Sequence, residues 1–352
     1  MFDFFEIKNF RCFESLKVTG LSRVNLLVGR NAVGKTALLE SLFITSGATP
    51  ELAFRVKGFR GLPRFEISTE QTAYRILWKD LFFGFDEARH IRIVLGKGAT
   101  ELRSLDISYT SPQGILFPHA KSSLSTDTVP IVPIAFRWQT SSGQEGLAEP
   151  QFVKEGFRVA PAPGIPLLPA VFFSSANPPS PEEAAGWLSQ LSIQGADREI
   201  VEAVRGVFRD VEDLSIQVIG GAPAIYATVR HLKEKISINL ISSGLPKLVA
   251  ITLAIIQKKG GLLYVDEIEN GFHHEALVSV WKLISGLAEK YDVQVFASTH
   301  SAECLEAATR SIAEPRSSLV LLKLERVDGT SIVKRFSGEA LRSAMIDGVE
   351  VR

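Results

Sequence analysis

Little in this chain suggests cross-linking, metal storage or membrane residence. Its 352 residues hold two cysteines, Cys12 and Cys304, far apart and in no metal-like spacing. That pattern points to a reducing, cytoplasmic compartment. Net charge is absent too: 39 basic residues balance 39 acidic ones. This argues against a strong non-specific nucleic-acid binder, while leaving room for a local basic patch. No apolar run reaches the roughly 18 to 20 residues that a membrane helix needs. Phe2 to Glu6 carries no basic n-region, so no signal peptide is expected. Heptads and internal repeats are missing, which excludes a long coiled coil. What remains is an ordinary globular composition, 45% hydrophobic and 22% charged, long enough for one large domain or two intimate lobes.

The most informative stretch runs from Leu26 to Ser41. Within it, Gly29, Arg30, Asn31, Ala32, Val33, Gly34, Lys35 and Thr36 fit the P-loop pattern G-x-x-x-x-G-K-S/T. Val24 to Val28 is an apolar, β-branched strand, and Leu38, Leu39 and Leu42 give the following segment helical spacing. In such a strand–loop–helix unit, backbone N–H groups and the positive end of the helix dipole face a phosphate. Lys35 would reach the β- and γ-phosphates of ATP, and Thr36 would offer its hydroxyl to Mg²⁺.

A second signal is Leu262-Leu263-Tyr264-Val265-Asp266-Glu267, a buried strand that ends in two acids. Ligands gather at the carboxyl ends of strands in open α/β sheets. Asp266 is the candidate Mg²⁺ partner and Glu267 the candidate base for water. A third strand, Val293 to Ser298, ends in Thr299-His300-Ser301, which makes His300 a further site candidate. His273 and His274 lack a third ligand, so no zinc site is expected. The Ser242-Ser243-Gly244 turn opens an apolar helix and is a possible anion site, or simply a helix cap.

Elsewhere the pattern is structural. Strands are expected over 2–8 and 14–19, joined by an aromatic-basic turn in which Phe10 and Phe13 read as core. Arg11 is open between core and site. A basic-aromatic run from Pro50 to Phe65 contains Arg55, Lys57, Arg60 and Arg64, and suits a helix or loop with buried aromatics better than a nucleic-acid face. Helical spacing follows over 71–83. Antiparallel strands are expected from Ile91 to Trp138, long irregular loops over 139–169, and a restarted strand at Val171. Helices are expected over 182–193, with Ser180 as N-cap, and over 197–209. A strand pair surrounds Gly220-Gly221, a hairpin turns at Asp328-Gly329, and a tail helix starts near Gly338.

Together these motifs resemble the ABC-type ATPase heads of SMC and RecF proteins, and the AAA-type ATP-binding proteins of the overcoming-lysogenization-defect (OLD) group. Asn9-Phe10-Arg11 with Phe13 is similar to that group's first turn. Gly29 to Thr36 matches its Walker A, Ile241-Ser242-Ser243-Gly244-Leu245 its signature, Val265 to His273 its Walker B and D-loop, and Thr299-His300-Ser301 its H-loop. The signature departs from the common form at Ser243 and at Leu245-Pro246. The resemblance implies an α/β P-loop NTPase with a mixed central sheet, an antiparallel β subdomain and a helical lobe. It implies a single head split in sequence into 1–45, a loosely matched insertion over 46–235, and 236–352. It also implies a homodimer or higher homo-oligomer, in which ATP lies between one copy's Walker motifs and the other's Ser242, Ser243 and Gly244, with Arg11 near the nucleotide. A separate effector, in some relatives a nuclease in antiphage defence or DNA maintenance, would be the partner. No room is left for a TOPRIM nuclease domain, and no two-metal carboxylate cluster is recognisable outside the ATP site. RecF-type DNA binding and a non-hydrolysing nucleotide sensor are the alternatives.

Overall fold

The computed structural model describes residues 1–60, 77–110, 133–153, 156–176, 178–311 and 319–338. Two six-stranded sheets enclose one helix. The first sheet is antiparallel, built from β1 (Phe4–Phe10), β2 (Phe13–Thr19), β4 (Ile91–Lys97), β5 (Thr100–Tyr109), β6 (Ile134–Thr140) and β7 (Glu145–Ala148) in the order β2-β1-β4-β5-β6-β7. The second is mixed. Its strands are β10 (Ala170–Phe173), β14 (Leu262–Val265), β15 (Gln294–Ser298), β3 (Val24–Val28), β16 (Leu319–Val327) and β17 (Thr330–Ser337), in that spatial order. The first five run parallel, and β17 closes the edge as a hairpin partner of β16.

The parallel strands are apolar without alternation because both their faces are covered. Leu27, Tyr264, Phe296 and Leu322 face the helix α1 (Lys35–Ser46) and the antiparallel sheet. Leu26, Leu263, Val295 and Leu321 face the opposite layer. That layer consists of α6 (Gly244–Gln257), α7 (Leu277–Lys290) and α8 (Ala302–Ser311). Lying between two sheets, α1 has no solvent face, and eleven of its residues are buried. Helix α6 is also apolar all round: Leu248, Ile251 and Ile255 meet the sheet, while Leu245, Val249 and Leu253 meet a third cluster. This third cluster is a lobe of α3 (Pro181–Ile193), α4 (Asp197–Arg205), the hairpin β11 (Val211–Ile219)–β12 (Ala222–Val229), its short partner β13 (Ile236–Ser237) and the one-turn helix α5 (Ile238–Ile241).

Chain order thus yields the mixed sheet, the antiparallel subdomain and the helical lobe that were expected. Ser180 caps α3: its Oγ accepts the Glu183 N–H at 3.2 Å. The stretch 139–169 is more ordered than its Ser, Gly and Pro content suggests. It holds β7 and the short pair β8 (Gln151–Val153) and β9 (Gly156–Arg158), strands that turn residues punctuate rather than abolish. The second lobe helix stops at Arg205, before Gly206, short of the expected 209. Of the helix expected over 71–83, only 77–79 are described as helical, and the tail helix lies outside the described residues.

The basic-aromatic run forms α2 (Glu51–Phe59), with its aromatic side chains turned inward. Phe54 meets Trp78 at 4.5 Å and Phe59 stacks on Phe172 at 5.2 Å. Lys57 pairs with Asp80 at 2.5 Å, and Arg60 grips Glu40 with two hydrogen bonds of 2.7 and 2.8 Å. Arg55 stays exposed, and Arg64 lies outside the described residues. Among the described residues no helix is long and apolar enough to cross a membrane.

One buried cation joins the layers. Arg103 of β5 is 3% exposed and has no carboxylate partner among the described residues. Its guanidinium donates to the carbonyls of Thr45, Gly47 and Pro166. Two of these belong to the end of α1, where carbonyls lack helical partners and the helix dipole favours a cation. Burial lowers the Arg103 pKa to about 10.

Candidate nucleotide site

Parallel strands deliver their carboxyl ends to one edge of a sheet. Here β3, β14 and β15 are neighbours, so three sequence-distant segments meet there. Gly29 to Gly34 leave β3 as an irregular loop, and α1 starts at Lys35. Gly29 has φ +141° and a Cβ on it would lie 2.3 Å from the Leu324 carbonyl. Gly34 has φ +110°, and a Cβ there would meet Cys12 Sγ and Phe13 Cζ at 2.7 Å. Both positions therefore need glycine. Arg30, Asn31 and Ala32 are exposed and Val33 is half-buried.

Lys35 is 4% exposed and its ammonium curls back onto the loop, donating to Gly29 O at 2.6 Å and Arg30 O at 3.0 Å. Burial lowers its pKa, an effect opposed by Asp266, Glu267 and Glu269. Thr36 Oγ1 donates to Asp266 Oδ2 at 2.9 Å, joining positions 230 residues apart. A hydroxyl and a carboxylate in contact are a hard oxygen pair suited to Mg²⁺. The other Asp266 oxygen accepts from Ser298 Oγ at 2.5 Å.

Glu267 begins the loop after β14 with φ 49°. Its Oε2 accepts from Asn270 Nδ2 at 2.7 Å, and its Oε1 lies 3.5 Å from His300 Nε2. A carboxylate held from one side and facing an imidazole on the other is a competent base for water. The His300 N–H donates to Glu269 Oε1 at 2.7 Å, which ties the loop after β15 to the loop after β14.

The turn between β1 and β2 packs on the P-loop, which explains the contacts at Gly34. Phe10 and Phe13 are fully buried, as core residues. Arg11 adopts φ 50° and its side chain is 9% exposed. Nη1 pairs with Glu40 Oε2 at 2.7 Å, while Nε and Nη2 are buried with no hydrogen-bond partner among the described residues. Burial pulls the Arg11 pKa down, with Glu40 opposing. Arg11 is thus held by an internal ion pair, with two of its nitrogens lacking a partner among the described residues.

The Ser242-Ser243-Gly244 turn lies against the Walker B loop. Ser242 Oγ accepts the Leu245 N–H at 3.2 Å and so caps α6. Ser243 Oγ is 3.5 Å from the Gly271 carbonyl, and a Cβ on Gly244 would lie 2.4 Å from that same oxygen. Among the described residues, no hydrogen bond from this turn goes to Gly29–Thr36. The His273 and His274 rings lie 4.2 Å apart, tilted by 40°, and no His, Cys, Asp and Glu group able to hold a metal occurs among the described residues.

Three participants escaped the sequence reading. Glu40 has no motif and is seen only once Arg11 and Arg60 converge on it. Ser298 directly precedes Thr299-His300, and that adjacency was its one available signal. Lys247, a turn beyond Gly244, donates from Nζ to Glu267 O at 2.7 Å and Asn270 O at 3.3 Å. Its pKa is lowered to about 8 by burial, against the pull of Glu269, Glu267 and Asp266.

Known proteins share this arrangement. Residues 1–82 match the family described as "AAA ATPase domain", and residues 147–306 match "AAA domain, putative AbiEii toxin, Type IV TA system". An "ATP/GTP phosphatase" of Helicobacter pylori is 24% identical over 95% of both chains. Among solved structures, an Smc head bound to the C-winged helix domain of ScpA is similar at TM-score 0.53 and 14% identity, covering 96% of this chain and 98% of that one. An Smc head with an extended coiled coil, bound to the C-terminal domain of ScpA derived from Pyrococcus furiosus, is similar at TM-score 0.50 and 13% identity, covering 100% and 99%. Gly29–Thr36 lies in one AAA match, and Ser242–Gly244, Asp266–Glu267 and Thr299–Ser301 lie in the other, on a fold similar to that of SMC heads.

Proposed function

We propose that this AAA-type ATPase binds ATP with Mg²⁺ between Gly29–Thr36 and Asp266, hydrolyses it with Glu267 as base, and uses the cycle to join two copies and gate a separate effector. The contact between Thr36 and Asp266, with Lys35 and Glu267 beside it, carries this reading. The residues present fit a magnesium–nucleotide group. Gly29 and Gly34 let the loop take backbone angles and close contacts with Leu324, Cys12 and Phe13 that any Cβ would forbid, so packing fixes the loop's shape. Lys35 rests on carbonyls that a phosphate can replace as its partner. Arg11 holds two buried N–H groups with no acceptor among the described residues, and a buried unpaired donor is costly enough to favour one.

A magnesium ion held by Thr36 and Asp266 would supply positive charge against that of the phosphates. Lys35 and the loop N–H groups hold the phosphates, and Thr36 and Asp266 hold the metal. Glu267 takes the proton from the attacking water, and His300 orients the Glu267 carboxylate from 3.5 Å. Ser243 and Gly244 lie against Gly271 and Ser242 caps α6, and among the described residues none of the three bonds to its own P-loop. Their natural anion is the nucleotide of a second copy, which makes ATP an adhesive between copies and hydrolysis a release. Gating of an effector, such as a nuclease in the antiphage systems of OLD-like proteins, is an analogy from fold and motif. The chain itself should not cut DNA.

The test is Glu267→Gln. ATP affinity should persist, phosphate release should fall at least about a hundredfold, and light scattering with ATP should report a doubled mass. Full turnover would remove the base assignment, and an unchanged mass would remove the two-copy assembly. Turnover stimulated by DNA would favour a RecF-like clamp. A wild-type protein that dimerises with ATP and releases no phosphate would be a sensor.

A further inference from the structure

Glu267 sits in the left-handed region, which a residue with a Cβ adopts only when its surroundings over-determine it. Two side chains hold its peptide from opposite ends. The Glu267 N–H donates to Ser298 Oγ at 2.9 Å, and the Glu267 carbonyl accepts from Lys247 Nζ at 2.7 Å. Ser298 is fully buried at the end of β15 and donates its own hydrogen bond to Asp266 Oδ1. Lys247 also reaches Asn270 O, and Asn270 returns a hydrogen bond to Glu267 Oε2. Lys247 stands on α6, whose first residue, Gly244, presses on the Gly271 carbonyl at the end of the same loop.

We propose that Ser298 and Lys247 are positioning residues that clamp the Glu267 peptide, and that Lys247 ties the place of the Glu267 carboxylate to the place of α6 and its Ser242–Gly244 turn. The inference rests on the base assignment made above. A shift of α6 caused by an anion at Ser242 acts on the Glu267 carbonyl through one ammonium group. A base for water must be held within a fraction of an ångström, and a 1 Å misplacement costs about a hundredfold in rate. The clamp therefore makes turnover at one copy's Glu267 depend on whether its own signature turn is engaged. Lys247 touches neither phosphate nor metal; it acts through Glu267.

Lys247→Met keeps the apolar stem and removes the ammonium. Its kcat should fall about ten- to a hundredfold, with ATP affinity changed less than about twofold; Lys247→Arg, which keeps a donor and a charge, should recover part of the loss. Ser298→Ala should lose at least as much and should need more Mg²⁺, because Asp266 loses a donor as well. The decisive measurement is a double-mutant cycle in single-turnover assays. If Lys247 acts through Glu267, Lys247→Met should cost nothing further in the Glu267→Gln background. An equal loss in both backgrounds, or normal kcat in Lys247→Met and Ser298→Ala, would overturn the clamp. These outcomes are distinct from failure of the base assignment, which Glu267→Gln alone reports. Should Lys247→Met fold poorly, Lys247→Gln gives the same cycle, because its shorter amide cannot span to both carbonyls.

Discussion

The two six-stranded sheets are equal in strand number and opposite in what they offer. In the parallel part of the mixed sheet, β3, β14 and β15 all end at the same edge, so Lys35 and Thr36, Asp266 and Glu267, and Ser298 and His300 gather there. In the antiparallel sheet neighbouring strands end at opposite edges, and among the described residues no comparable set converges. That sheet contributes by packing onto α1 from outside. Its first turn leans on Gly34 and its Arg103 closes the far end of the helix. The candidate chemistry therefore follows strand direction, and the antiparallel sheet supports the helix that carries the P-loop.

The largest expected effect removes the cation at the chemical end of α1. Lys35→Ala should weaken ATP about a hundredfold or more in calorimetric titration, the loss of a charge-assisted contact in a water-poor site. Near-normal affinity would break the assignment of chemistry to this edge. Next is the opposite end of the same helix. Arg103→Met should lower unfolding free energy by about 2–4 kcal/mol in denaturant melts, because buried carbonyls lose their donor. ATP affinity well below the transition should hardly change. A variant as stable as the parent, or one that loses ATP binding while folded, would erase the division of labour between the sheets.

Smaller in energy is Ser242→Arg, which should cut turnover about tenfold or more while each copy still binds ATP. Mixed with Lys35→Ala, it should regain part of the activity, since the mixed dimer pairs one intact P-loop with one intact signature. Proven heterodimers without recovery would argue for action in cis or for two sites that must fire together. The smallest effect lies outside both sheets. Ser180→Ala should cost about 1 kcal/mol, the usual value of an N-cap, and leave ATP turnover intact. A turnover defect there would mean that the helical lobe reports directly to the site.

Much of the site was legible because its parts are local. A glycine loop between an apolar strand and a helix needs nothing distant to be recognised, and the same holds for four apolar residues running into Asp266 and Glu267. Arg11 was legible only as a question. Its alternatives differ by a partner, Glu40, which sits 29 positions away on a helix with no polar motif of its own. The short strands within 139–169 were masked by the Gly, Ser and Pro residues that punctuate them. Lys247 was invisible for another reason: a lysine in the first turns of a helix is ordinarily solvated, and here it is drawn inward by two carbonyls of a loop some twenty residues on.

By itself, the sequence determined the P-loop and the continuous apolar strands, because backbone conformation there follows from glycine, β-branching and period over a few neighbouring residues. It also determined which acids stand at a strand's end. Tertiary structure alone decided which of these groups touch. Thr36 finds Asp266, Ser298 finds Asp266 and the Glu267 N–H, and Arg103 finds the end of α1 only after β3, β15 and β14 line up and the two sheets close on one helix. Those contacts depend on strand order and layer packing, which are set by how all the apolar faces are buried at once and are not written in any short stretch of the chain.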